Sequence, residues 1–347
     1  MLAGLAGLAG CAGRTDARPQ AAAVDLRKAG FAVGSAVQTS QLDDPAFSAL
    51  LLGQVSQITP EWEMKMEYVV QPDGSWRFAA PDRIAAFART HGLRLFCTTL
   101  VWYAQSPAAF ERLAGRPTAF AAAYEAYIEA LVTRYRGLSV GWDVVNEPVA
   151  EDGSGLRESI WSRTLGQMEH MKIAFERARA CDPEARLFLN DYNLETIPAK
   201  RKVFLGLVER LLAAGAPIDG IGVQTHVPAD LPAGAIRTAM TDVASLGLPV
   251  HVSEMDVSIS RSRFSPTERR AALQAQSRVY AEAADVFAGL GSAQRFAFTF
   301  WGLRDSDSWL LGEDRNDAPS LFDAEGRPKP AARAWLEAAQ RGMRPGL

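Results

Sequence analysis

Hydrophobic positions along the chain fall into two kinds of run that alternate. Short apolar or β-branched stretches read as buried strands: Phe31 to Val37, Val55 to Thr59, Leu93 to Leu100, Ser139 to Val145, Leu187 to Asn190, Gly220 to Gln224, Val250 to Met255 and Arg295 to Phe300. Between them lie helical periodicities such as Pro81 to His91, Pro117 to Tyr135, Ser159 to Ala180, Lys200 to Ala214, Gly234 to Ser245 and Pro266 to Leu290, and Lys329 to Gln340 follows the last strand. Gly92, Gly137, Gly215 and Gly247 fall where a helix ends and a strand is about to begin, the expected place for a left-handed cap. Strict alternation implies a parallel sheet, and eight units in 347 residues imply an α/β fold closed into a (β/α)8 TIM barrel. No Gly-x-Gly-x-x-Gly follows the first strand, which argues against a dinucleotide-binding sheet. A single catalytic-size domain over residues 23–347 is expected, with no linker inside it.

Composition changes this picture little. Apolar residues make up 48% and charged residues 22%, ordinary for a globular chain and unlike a disordered one or a membrane bundle. The formal charge is −3 and no basic run stands out, so nucleic acid is not an expected partner. The first 22 residues stand apart. Leu8-Ala9-Gly10-Cys11 after a Leu/Ala/Gly run resembles the lipobox of a bacterial lipoprotein signal, with Cys11 as the acylated residue, although no Lys or Arg precedes the run. The expectation is a signal and tether over residues 1–22, a cell-envelope or secreted location and membrane contact only through that lipid; a leader without meaning is the alternative. Cys97 and Cys181 do not imply a bridge, four histidines show no ligand spacing, and neither metal nor cofactor is expected. A monomer is expected.

Candidate chemistry collects at the strand ends. In such a barrel every strand points its C-terminus at one rim, so residues just past the strands converge. They are Glu61, Glu63 and Lys65; Trp102 and Gln105; Asn146 and Glu147; Asn190, Asp191 and Asn193; Gln224 and His226; Glu254 and Asp256; and Trp301, Asp305 and Trp309. Acids and amides hydrogen-bond hydroxyls, and indole faces stack on the apolar faces of sugar rings, so the set suits a polysaccharide or oligosaccharide. Glu147 and Glu254 end the fourth and seventh strands, and two facing carboxyls, one protonated and one ionised, are what a retaining glycosidase uses. His226 and Asn146 are candidates for keeping Glu254 anionic. His251, Trp142, Trp161 and Trp335 read as packing residues, and Trp76 as a loop residue without an assigned role.

Ordered motifs along nearly the whole chain resemble one family. Trp142-Asp143-Val144-Val145-Asn146-Glu147-Pro148 and Ser253-Glu254-Met255-Asp256 look like the acid/base and nucleophile motifs of glycoside hydrolase family 10, the endo-β-1,4-xylanase family of retaining barrels. Thr59-Pro60-Glu61-Trp62-Glu63-Met64-Lys65, Thr99-Leu100-Val101-Trp102, Asn190-Asp191-Tyr192-Asn193, Ile218 to His226, Phe300 to Leu303 with Ser308-Trp309, and Leu321-Phe322-Asp323 resemble its other motifs. The resemblance implies that Glu147 is the acid/base and Glu254 the nucleophile. It implies that Asn146 holds a sugar 2-hydroxyl and that His226 sets the ionisation of Glu254, with Gln224 and Asp256 in support. Glu61, Lys65 and Gln105 would bind sugars, beside Asn190 and the walls Trp102, Trp301 and Trp309. Three positions depart from the family pattern: Trp62 stands where it usually has Asn, and Thr98 and Tyr103 where it has His. Each lost polar contact would cost about 1 to 3 kcal/mol if uncompensated, enough to alter which sugar is accepted. The expected activity is endo-hydrolysis of β-1,4-linked xylan or a related β-glycan through a covalent glycosyl-enzyme. The alternatives are a glycan-binding lipoprotein without turnover and a hydrolase or transglycosylase of an exopolysaccharide.

Overall fold

The computed structural model describes residues 24–343. The expected leader, Cys11 included, lies outside the described residues. Among the described residues nine strand segments run in chain order: β1 (Val33–Val37), β2 (Gln57–Pro60), β3 (Arg94–Trp102), β4 (Ser139–Asn146), β5 (Arg186–Asp191), β6 (Gly220–Val223), β7 (His226–Pro228), β8 (Val250–Ser258) and β9 (Arg295–Phe300). Neighbours pair in parallel from β1 through β6, β9 pairs with both β1 and β8, and β6 pairs with β8, which closes the barrel. Segment β7 pairs with the far end of β8, His226 opposite Asp256. So β6 and β7 occupy one barrel position, broken at Gln224 and Thr225, where Thr225 takes a left-handed φ of 62°. The eight expected strands are all present, with that one interrupted.

Most helices follow the expected bounds, with two differences. The periodicity from Ser159 to Ala180 is two helices, Ile160–Leu165 and Glu169–Cys181, because Gly166 between them sits at φ 101°. The helix Pro45–Gln54 fills the first crossover; its Phe47, Leu50, Leu51 and Leu52 spread around the axis rather than along one stripe, so it carries little amphipathic signal. Its start is chemical instead: Asp44 accepts the Ala46 N–H at 2.9 Å and Pro45 occupies the first position. The four predicted cap glycines all have φ between 65° and 84°.

The barrel is filled below and polar above. Phe96, Phe188, Phe296 and His251 pack their rings against one another, Phe96 to His251 at 4.4 Å and Phe188 to Phe296 at 4.6 Å. His251 shares a 2.8 Å hydrogen bond with Thr299 and its burial pushes its pKa well down, so it is the neutral packing residue the sequence suggested. Trp142, Trp161 and Trp335 are buried likewise. Among the described residues, Cys97 and Cys181 are free thiols.

One glycine ties this packing to the rim. Gly222 in β6 pairs with Asn190 in β5, and a Cβ there would lie 2.3 Å from the Asn190 side-chain oxygen. The absence of a side chain at 222 is what lets Asn190 point into the barrel. Gly222→Ala is therefore expected to destabilise the protein by about 1 to 3 kcal/mol through overpacking. Urea unfolding checks this; an unchanged midpoint would mean that Asn190 moves aside freely.

Candidate active site

Glu147 sits one residue past β4 in a left-handed conformation, φ 55°, and Glu254 lies inside β8. A non-glycine residue held there costs of order 1 kcal/mol or more and persists only where its surroundings over-determine it. Both glutamates are largely buried, 9% and 6% exposed, and both line one cleft of about 490 Å³. The Glu147 carboxyl receives three donors: Trp102 Nε1 at 2.8 Å on one oxygen, Gln224 Nε2 at 2.9 Å and Asn146 Nδ2 at 3.3 Å on the other. Glu254 receives Asn190 Nδ2 at 2.8 Å, and His226 Nε2 lies 3.4 Å from its second oxygen.

Two expectations are thereby corrected. Asn146 contacts Glu147, not Glu254, because its amide is turned by Asn190 and Gln224, which donate to its oxygen at 3.0 and 3.2 Å. Asn190, expected against sugar, is fully buried, and its amide is spent on Asn146, Glu254 and the Ser253 hydroxyl. It braces both glutamates from beneath.

The electrostatics differ between the two acids. Burial pushes the Glu147 pKa up, the Gln224 and Trp102 donors oppose that, and the charge of Glu254 adds to the rise. Around Glu254 the neighbours suit an anion. Burial alone would discharge His226, but Asp256, whose carboxylate lies 2.9 Å from Nδ1, and Glu254 outweigh it and hold the imidazolium to about 10. Trp309 donates its indole N–H to the same Asp256 oxygen at 2.8 Å. Trp309, Asp256, His226 and Glu254 thus form one series, with a carboxylate oxygen 2.9 Å from His226 Nδ1 and another 3.4 Å from Nε2.

Among the expected sugar contacts, Lys65, Thr98, Trp102, Trp301 and Trp309 line the cleft, and Lys65 Nζ rests 4.8 Å above the Trp102 ring. Four others are placed off its wall. Trp62, two residues past β2, packs on Tyr68, ring centres 4.6 Å apart. Tyr103 lies under the Arg157 guanidinium at 4.2 Å. Gln105 is exposed on a left-handed turn, and Glu61 accepts from Gln38 Nε2 at 3.0 Å while burial pushes its pKa up to about 7. Behind Thr98 the buried Asp143 is pushed well above the ordinary carboxylate range by burial and then by Glu254, and its Oδ1 has no protein partner among the described residues.

Other groups were not picked out from the sequence. Tyr192 lines the cleft although it carried no role within its motif, and Arg261 with Glu313 close one edge of the cleft as a bidentate pair, 2.6 and 3.1 Å. Arg261 stacks on the outer face of Trp309 at 5.0 Å. These last two come from loops beyond the strand ends, where the rim rule gives no signal. Asp191, by contrast, points outward and pairs with the buried Lys200 at 3.0 Å.

A parallel barrel carrying two buried carboxyls with different polar partners in one aromatic-walled cleft is the architecture of a retaining sugar hydrolase. Residues 23–338 match the model of glycosyl hydrolase family 10, and the chain belongs to that family. It is 34% identical over 333 residues to an endo-1,4-beta-xylanase A of Halalkalibacterium halodurans, covering 87% of this chain and 82% of that one. It is 32% identical to the endo-1,4-beta-xylanase A of Thermoanaerobacterium saccharolyticum, of which it spans only 26% of the length. The crystal structure of xylanase XynB from Paenibacillus barcinonensis superposes with a TM-score of 0.84 at 30% identity, covering 91% of this chain and 99% of that one.

The raised His226 pKa has a consequence for stability. A histidine whose folded pKa is about 10 against an ordinary 6.5 contributes stability that is complete below 6.5 and is lost as pH rises through 10. The unfolding midpoint is expected to fall across that window in the wild type, and to fall less in His226→Asn. Parallel curves for the two proteins would contradict the buried imidazolium.

Proposed function

We propose that the protein is a retaining endo-β-1,4-xylanase in which Glu254 is the nucleophile and Glu147 the acid/base. The observation that carries this is the opposed setting of the two carboxyls in one cleft: Glu147 pushed toward its protonated form by burial and by its neighbour's charge, Glu254 beside an imidazolium and an amide. In the first step the Glu254 carboxylate attacks the anomeric carbon, the glycosidic C–O bond breaks, and Glu147 gives its proton to the departing oxygen. The Trp102 and Gln224 donors then stabilise the carboxylate left behind. Glu254 is now an uncharged ester, so the part of the rise in the Glu147 pKa that its charge contributed is gone. Glu147 is accordingly a base for the second step, taking a proton from the water that attacks the same carbon and frees Glu254.

Substrate selection rests on the cleft walls. Trp102, Trp301 and Trp309 offer faces to sugar rings, and Lys65 and Asn146 offer donors. Thr98 on the cleft wall shortens the polar reach where the family usually has a histidine, which favours a substrate that needs less contact there. A xylan backbone is the substrate these features support best.

Incubation with xylans, glucans, mannans and exopolysaccharides, counting reducing ends, tests the reading. Release from xylan is expected, with the β-anomer formed first by proton NMR, and Glu147→Gln and Glu254→Gln are each expected to lower turnover by about 100-fold or more. Release from no β-glycan, or early α-anomer, would overturn it.

We also infer an envelope placement through a lipid on Cys11, supported by the Leu8 to Cys11 stretch. Labelled palmitate should enter the full-length protein made in a bacterial host, and Cys11→Ala should abolish the label; label retained in that variant would refute the anchor.

A further inference from the structure

We propose that Arg157 is the positioning residue of Glu147: it fixes the strained turn that aims the carboxyl at the cleft, and so governs proton donation. The inference rests on reading Glu147 as the proton donor. The turn after β4 must hold a non-glycine residue at φ 55°, and every polar backbone group from Glu147 to Val149, the Val149 carbonyl aside, has a partner. The Glu147 N–H donates to the Asn190 carbonyl at 2.8 Å, and the Val149 N–H to Asp191 at 3.1 Å. The remaining two carbonyls take their donors from one residue: Arg157 Nε donates to the Glu147 oxygen at 3.1 Å and the Arg157 N–H to the Pro148 oxygen at 2.8 Å.

The guanidinium is itself built in. It stacks on Tyr103 at 4.2 Å, donates to the Tyr192 hydroxyl at 2.6 Å and lies 3.4 Å from Glu151. Tyr192 is in turn held by Lys200, whose ammonium sits 3.4 Å from the ring centre. Tyr103 thereby has a use as the platform under the guanidinium. The charged and titratable groups facing Glu147 are Glu254 across the cleft, Asp191 and Glu151 behind it, and Tyr103 and Tyr192 beside it. Lys200 pairs with Asp191 and lies 3.4 Å from Glu151, while Arg157 is the cation in contact with Glu147 itself and favours its ionised form.

The test compares two substrates. Cleaving xylan needs the proton from Glu147, whereas a dinitrophenyl β-xylobioside has a leaving group that departs without one. For Arg157→Gln, kcat/KM on xylan is expected to fall about 10- to 100-fold, and on the aryl glycoside by less than about threefold. Without the cation the Glu147 pKa rises, so the alkaline limb of the pH profile should move to higher pH. Arg157→Lys keeps the charge, should leave that limb in place, and should recover part of the xylan activity; if Arg157→Gln does not fold, as thermal melting would show, the same comparison is made with Arg157→Lys, which should still lose more on xylan than on the aryl glycoside. Equal losses on both substrates, or no loss with an unmoved limb, would overturn the proposal. Wild-type protein that cleaves neither substrate would instead count against the proposed function.

Discussion

Two carboxyls held out of water within reach of each other's charge cannot both be ordinary. Each loses hydration and each opposes the other's ionisation, so a cleft that keeps both must supply donors to replace the lost water. Here the donors come from one connected set. Asn190 touches Glu254 and Asn146, Asn146 touches Glu147, and Gln224 touches both Asn146 and Glu147. A half-satisfied set of this kind would be costly, which is why the amides under the glutamates are as important as the glutamates. The demand reaches the barrel wall, since Gly222 must lack a side chain for Asn190 to enter.

The same demand explains the broken strand. β6 stops at Val223, Gln224 turns in to Glu147, Thr225 takes a left-handed conformation, and β7 resumes with His226 opposite Asp256. Gln224 and His226, two residues apart, would share a face of a regular strand, and the left-handed Thr225 between them turns the chain so that one reaches Glu147 and the other Glu254. Strain at Glu147 and Thr225 is the local cost of aiming three side chains at two carboxyls.

Much of this was legible in the sequence. Strand-helix alternation gave all eight barrel positions because parallel strands buried on both faces are continuous apolar runs. The rim rule gave Glu147, Glu254, Gln224 and His226 because it needs only the strand ends. It failed where a side chain's direction depends on its neighbours. Asn190 and Asp191 both lie at the end of β5, yet both are buried in the protein, one pointing into the barrel toward Glu254 and the other outward to Lys200 on the helix Pro198–Ala213. Trp62 and Tyr103 read as cleft residues but pack on Tyr68 and Arg157, and Arg157, Arg261 and Glu313 come from loops with no periodicity to flag them.

The central claim is that Glu254 forms a bond to the sugar while Glu147 does not. Incubation with a 2-fluoro xylobiosyl donor carrying a good leaving group should trap that ester, because the fluorine slows both its formation and its hydrolysis while the activated leaving group restores the rate of formation alone. Mass spectrometry of the digested protein is predicted to place one added disaccharide on the peptide containing Glu254, and none on Glu254→Gln. A label on the Glu147 peptide, or turnover of the donor with no label at any time, would contradict the account.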